Sequence, residues 1–207
     1  MDGVDAETLG RVAVSAQRFL NTVATNTAVI GILERAPSLQ LADWYLTAGG
    51  LFQTVWNNRA GYDPHTGIRD YDFFYFDDSD LSYEAEDRVI TAAAEVFGDL
   101  GVDVEVRNQA RVHLWYAEHF GADLSPYRST EDAIDHFVST TCCFGVRTEP
   151  DGTQRVYAPF GYDDVFAGII RPNPRLPMRH VYEAKTERWA SIWPDLTIMP
   201  WTSPASR

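Results

Sequence analysis

The segment DYDFFYF, residues 70–76, carries two messages at once. Tyr71, Phe73 and Tyr75 alternate with Phe74 and Phe76, the pattern of a strand covered on both faces and therefore central rather than an edge. Yet Asp70 and Asp72 stand at its entrance, and the period of two turns both to the same side. Two like charges side by side cost stability unless a cation offsets them. Mg²⁺ does so with carboxylate oxygens plus substrate phosphates. The plainer reading is a pair of solvated residues at a strand end, so the choice rests on what flanks them.

Upstream, DWYLTA (43–48) reads as a short strand, broken by Gly49-Gly50, after which LFQTVWNNRAG (51–61) is a helix stopped at Gly61. Between a strand and a helix, backbone amides can face a phosphate, although any tight turn there also favours glycine. Residues 62–69 read as loop. Downstream, Ser82 is placed to cap a helix with Glu84 and Glu86 in its first turn. That helix has an apolar face of Ala85, Val89, Ala93 and Val96 and ends at Gly98 or Gly101. VDVEV (102–106) is the next strand, with its valines on one face and Asp103, Glu105 and Arg107 on the other. Glu105 is the candidate third acid and Asp103 its nearest competitor.

Further out, residues 5–35 read as helical. QARVHLWYAEHFG (109–121) and STEDAIDHFVSTTCCFG (129–145) predict two more helices, the second opening on a capping-box variant from Ser129 to Asp132. After Gly152 short strands and proline-rich loops are expected. The order predicts an α+β fold with a small mixed sheet, a Gly-Gly turn and flanking helices. One domain is expected over 1–207, with a helical segment at 1–40, a core at 41–120 and an extension at 121–207.

Composition limits the function. The chain has 207 residues, 45% of them hydrophobic, enough for a core without staples, and a formal net charge of −13. Such a charge repels bulk polyanions and excludes a generic nucleic-acid coat, while leaving room for a local basic patch that seats a nucleotide. The two cysteines, Cys142 and Cys143, are adjacent and read as reduced core residues. An acidic N-terminus without a signal-peptide pattern, and no run of about 20 apolar residues, predict a soluble cytoplasmic protein without a membrane partner.

Residues 171–188 hold Arg171, Arg175, Arg179, Lys185 and Arg188 against Glu183 and Glu187, a formal +3. That patch reads either as a triphosphate or acidic-acceptor site, through Arg–phosphate contacts, or as surface salt bridging. Arg107 lies at the strand end beside Glu105 and either reaches the site or satisfies loop carbonyls. His113 and His119 are six apart, a poor spacing for shared ligation on a helix, and read as structural or surface. Trp56, Trp115, Trp189, Trp193 and Trp201 read as core rather than base-stacking, and Asp163-Asp164 as a helix or turn cap. No Gly-x-Ser-x-Gly, Walker A or dinucleotide glycine fingerprint is present.

Strand, Gly-Gly, helix, then Asp-x-Asp on a strand, then an acid between valines forms an ordered three-part pattern. It resembles the nucleotidyltransferase superfamily of the DNA polymerase β type. AGGLFQTVWN (48–57), DYDFFYFDDSDLSYEAED (70–87), VEVRNQARVHLWY (104–116), APFGYDDVFAGIIRPNP (158–174) and RWASIWPDL (188–196) are similar to a bacterial family of nucleotidyltransferase-like proteins. The resemblance implies a polymerase β-like core, with Gly49 and Gly50 as a phosphate turn and Asp70, Asp72 and Glu105 as ligands of Mg²⁺ or Mn²⁺. Arg107, Arg171 and Lys185 are the candidate nucleotide contacts. Nineteen residues separate Gly50 from Asp70, so an added loop is expected, and Gly50 stands where many members have serine. The expected activity moves a nucleoside monophosphate from an NTP to a small-molecule, protein or RNA acceptor and releases pyrophosphate. The alternative is a silent nucleotide- or metal-binding protein of the same fold. Glycoside hydrolysis by Asp70 and Asp72 fits worse, because residues two apart on a strand bring their carboxyls closer than the ~5–9 Å such mechanisms use.

Overall fold

A computed structural model of the chain describes residues 6–121 and 124–201. The first five residues and the side chain of His119 lie outside what is described. The N-terminal stretch is two helices rather than one, α1 (Ala6–Val23) and α2 (Thr27–Arg35). Asn26 interrupts it: its Oδ1 accepts from the N–H groups of Ala28 (3.0 Å) and Val29 (3.3 Å), which caps α2. Asn competes with helix at such a point because its side chain satisfies backbone donors that would otherwise lack partners.

Next come β1 (Trp44–Thr47), α3 (Gly49–Ala60), β2 (Tyr71–Tyr75), α4 (Tyr83–Phe97) and β3 (Val104–Asn108). As read from sequence, α3 stops at Gly61, and Ser82 caps α4 by accepting from the Ala85 N–H at 3.2 Å. β2 and β3 pair in parallel, and α4 is the crossover such a pair requires. α5 (Val112–Phe120) then precedes α6, which covers only Thr130–Ile134.

The long helix expected over 129–145 is therefore a correction. Its cap is real, since Ser129 Oγ accepts from the Asp132 N–H at 3.0 Å. The helix breaks after one turn because buried Asn173 claims the carbonyls of Asp135 (2.8 Å) and Phe137 (2.7 Å), and Ser139 starts a separate 3-10 turn. Beyond it lie β4 (Gly145–Thr148), β5 (Gln154–Tyr157), α7 (Asp163–Ala167), β6 (Ile169–Ile170), α8 (Arg179–Ile192) and β7 (Thr197–Ile198).

The main sheet has the order β3-β2-β1-β4-β5, and β6 and β7 form a separate parallel pair. β1 is antiparallel to both β2 and β4, so the sheet is mixed and β2 is interior, as its two-faced apolarity requires. Helices pack around it, and Trp56 of α3 meets Trp189 and Trp193 edge-on at 5.5 and 5.4 Å between ring centres. These rings are buried and lock α3 against α8. Among the described residues, no helix is long and apolar enough to cross a membrane.

Candidate active site

β1 runs directly into α3. Thr47 closes the strand and donates its hydroxyl to the Phe144 carbonyl. Ala48 makes the turn, with φ 53° and ψ −132°, a region hostile to a side chain that costs about 1–3 kcal/mol. Its carbonyl accepts from the N–H groups of Leu51 (3.1 Å) and Phe52 (3.3 Å), so the helix begins at once. Gly49 and Gly50 are thus the first two helical residues rather than a separate turn, where backbone N–H groups have no partner within the helix. A Cβ on Gly50 would stand 2.6 Å from Cδ1 of Tyr71, so only glycine lets α3 sit down on β2 here.

β2 supplies the acids. Asp72 lies opposite Thr47 on one side and in register with Glu105 on the other, and Asp70 immediately precedes the strand. Asp70, Asp72, Gly49 and Gln53 line one cavity of about 310 Å³. Burial, Asp70 and Glu105 push the Asp72 carboxyl up to about 7, against opposition from Lys185 and the Gly49 backbone N–H. Two mechanisms reinforce each other there: loss of hydration and like-charge repulsion both disfavour the ionised form.

Glu105 is close enough to act on Asp72 but does not line the cavity. Its carboxylate accepts from Arg107, Nη2 at 2.9 Å and Nε at 3.0 Å, and both side chains are substantially exposed. Asp103 faces a different cleft beside Val102 and Val104, while its carbonyl accepts from the Tyr71 N–H at 2.9 Å. Among the described residues no group of three His, Cys, Asp or Glu side chains is arranged to hold a metal ion.

The opposite wall is α8. Val181, Lys185 and Arg188 have the spacing i, i+4, i+7 and form one stripe on the cavity, next to the buried stripe of Tyr182, Thr186 and Trp189. Neither Lys185 nor Arg188 has an ion-pair partner among the described residues. Burial and Arg69 pull the Arg188 guanidinium below its usual value, while Asp70 opposes this. Arg171 and Arg175 are elsewhere: Arg171 pairs with Asp164 at 2.6 Å and Arg175 with Asp135, and neither lines the cavity.

Sequence reasoning named Arg188 only as one member of the 171–188 basic patch, passed over Gln53, and did not see α8 as a helix. The i+3 step from Lys185 to Arg188 was the available signal, hidden by a stretch rich in charge. Trp56, Trp189 and Trp193 are core, as read, whereas Trp115 is 37% exposed and Trp189 also borders the cavity. Cys142 and Cys143 are free and buried.

A sequence-family model described as nucleotidyltransferase matches residues 34–198. The chain belongs to the nucleotidyltransferase family. This nucleotidyltransferase is also similar in fold to a protein solved by NMR and described as revealing a CCA-adding enzyme head domain. That likeness has a TM-score of 0.72 at 22% identity and covers 89% of this chain and 96% of the other. No curated protein matches this chain. The matched segment spans all five strands of the main sheet, both cavity aspartates and α8, so the family resides in the cavity-bearing part of this nucleotidyltransferase.

Proposed function

We propose that the cavity binds an NTP with Mg²⁺ or Mn²⁺ and that the enzyme transfers its nucleoside monophosphate to an acceptor hydroxyl. The acceptor oxygen bonds to the α-phosphorus, the bond from that phosphorus to its leaving oxygen breaks, and pyrophosphate departs with its electron pair. The hydroxyl proton passes to solvent or a nearby base. The observation that carries this reading is convergence. Asp70 and Asp72, the amide end of α3, and two unpaired cations of α8 border one cavity. Acids alone would reject a triphosphate and cations alone would not order it; both together suit a metal-bound polyanion.

The donor set fits a divalent cation. Two carboxylates with mutual repulsion, one of them held near neutrality by it, gain from an ion between them, and Mg²⁺ completes its shell with waters and phosphate oxygens. Such an ion supplies charge neutralisation and lowers the pKa of the attacking group. Asp70 and Asp72 would hold it. Glu105 stands beside Asp72 as the third acid, kept in reserve by Arg107. Gly49 and Gly50 would give backbone N–H groups to phosphate, and Lys185 and Arg188 would neutralise its outer oxygens. In this reading Arg171 and Arg175 take no part.

The test is transfer of label from each α-³²P-labelled NTP, with Mg²⁺ or Mn²⁺, to a panel of proteins, tRNA and hydroxylated small molecules. Labelled product and pyrophosphate are expected in equal amounts, with a loss of at least 10²-fold in Asp72→Asn, on the order of other transition-state electrostatic losses. Undiminished transfer by that variant would move the chemistry elsewhere.

A further inference from the structure

Positive charge continues past the cavity wall. Gly67, with φ 74°, lays the loop before β2 against α8: a Cβ there would stand 2.8 Å from Cη2 of Trp193 and 3.1 Å from Cδ1 of Ile192. Ile192 follows Arg188 by one turn, at i+4, on the same stripe of α8. Arg69 is two residues past Gly67 and one before Asp70, which sets it beside Arg188. After burial, its charge is the next influence that pulls the Arg188 guanidinium below its usual value. Neither guanidinium has an ion-pair or hydrogen-bond partner among the described residues, although the chain holds 30 acids against 17 cations. Arg171, Arg175 and Arg179, from the same basic stretch as Arg188, each have an acid. Neighbouring arginines without acids repel each other, and an anion shared between them removes that cost.

The site also has a direction. Lys185 acts on Asp72, Arg188 is acted on by Asp70 and Arg69, and Ile192 meets the position of Gly67. Rising numbers on α8 therefore match falling numbers along β2 and the loop before it. Followed the other way, the match sets Met178 and Val181 towards Phe74, and all three line the cavity. Phe137 meets Phe74 edge-on at 5.8 Å between ring centres, and Tyr116 Oη lies 2.8 Å from the Met178 sulfur. One end of the cavity is thus aromatic and apolar, the middle holds the two aspartates, and the far end leads to the two arginines.

On the reading that the cavity holds an NTP, this polarity orients it, with the base in the apolar end and the phosphates directed towards Arg69. We infer that Arg69 and Arg188 together grip the terminal phosphate and so make the protein prefer nucleoside triphosphates to diphosphates. Two planar guanidinium forks match the oxygens of one phosphate, which a single lysine charge does not. Lys185, beside Asp72, stays with the inner phosphates. A diphosphate seated on the same base and sugar sites stops short of Arg69, and the two arginines keep their repulsion.

The experiment is calorimetric titration of the full chain, with Mg²⁺, using the four common nucleoside triphosphates and their diphosphates. For whichever base binds, wild type should hold the triphosphate about tenfold or more tighter than the diphosphate, the size of charge-assisted hydrogen bonds. Arg69→Gln should weaken the triphosphate about tenfold and leave the diphosphate within about twofold of wild type. It should melt no lower than wild type, because Arg69 is exposed and has no partner to lose. An equal loss for both nucleotides would overturn the inference and make Arg69 a contributor to the general field alone. So would triphosphate binding that Arg69→Gln leaves unchanged. Absence of all nucleotide binding by wild type would instead sink the NTP reading itself, and this inference with it.

Discussion

At the scale of single residues, Asp72 carries the clearest consequence. Its carboxyl is raised from the ordinary aspartate value to about 7 by burial, Asp70 and Glu105. Unfolding returns it to an ordinary carboxylate, so between about pH 4 and pH 7 the folded chain binds more protons than the unfolded one. Without metal, stability should therefore fall as pH rises through this window, by at most about 1.4 kcal/mol for each pH unit crossed, and stay lower above it. Asp72→Asn should flatten that dependence and leave the metal-free protein at least as stable at pH 8. Mg²⁺ with NTP should raise wild-type stability by ~2.7 kcal/mol at a hundredfold excess over Kd, and the variant should lose most of the gain. Thermal melts across pH check both halves. A variant that is much less stable at pH 8 would show Asp72 to be a structural acceptor for the Gly49 N–H. The pair of aspartates was legible in sequence because strand alternation fixes where they point. Gln53 was not, because its place on the cavity wall depends on what packs around α3 rather than on its residue type.

At the scale of elements, the junctions between helices and sheet decide the site's shape. Asn26 is the key joint. Besides capping α2, its Nδ2 donates to Thr54 Oγ1 of α3 (3.0 Å), to Tyr71 Oη of β2 (2.9 Å) and to the Pro64 carbonyl of the loop between them (3.3 Å). His65 of the same loop meets Tyr71 Oη at 3.0 Å, so the ring that presses on Gly50 is fixed from behind. This is how the loop added between α3 and β2 is accommodated: Asn57 also holds the carbonyls of Pro64 and Thr66, at 3.0 and 2.9 Å. Asn26→Ala removes a cap and strands buried partners, and should cost about 2–4 kcal/mol by denaturant titration. A loss below about 1 kcal/mol would mean that the joint is redundant. In the sequence, helix looks continuous across Asn26 because the residues that make it a breaker lie 28 and 45 positions away. β1, α3, β2, α4 and β3 were legible, since each shows its own period and its own stop. α8 was not, because its apolar stripe is short and interrupted, nor was β4, whose four residues carry too little pattern to separate from the preceding apolar run.

At the scale of the whole molecule, the cavity is assembled from distant stretches: 48–53, 70–74, Tyr116, 136–142 and 176–189. The first two carry the family's local pattern and could be read directly. The last reaches the site because α8 is locked against α3 through the Trp56, Trp189 and Trp193 rings. Lys185 and Arg188 are thus two cations in a chain of formal charge −13, set on the wall of the cavity that holds Asp70 and Asp72. A net negative charge disfavours a bulk polyanion, whereas in the proposed reading a small metal-bound triphosphate would carry its own compensation and meet cations in the cavity. The central claim is that these walls enclose a nucleotide, and a crystal structure with Mg²⁺ and a non-hydrolysable NTP tests it most directly. The account predicts a metal at ~2.0–2.1 Å from carboxylate oxygens of Asp70 and Asp72, with the triphosphate between the Gly49-Gly50 amides and the Lys185 and Arg188 side chains. A nucleotide bound outside this cavity, or a metal touching neither aspartate, would contradict it.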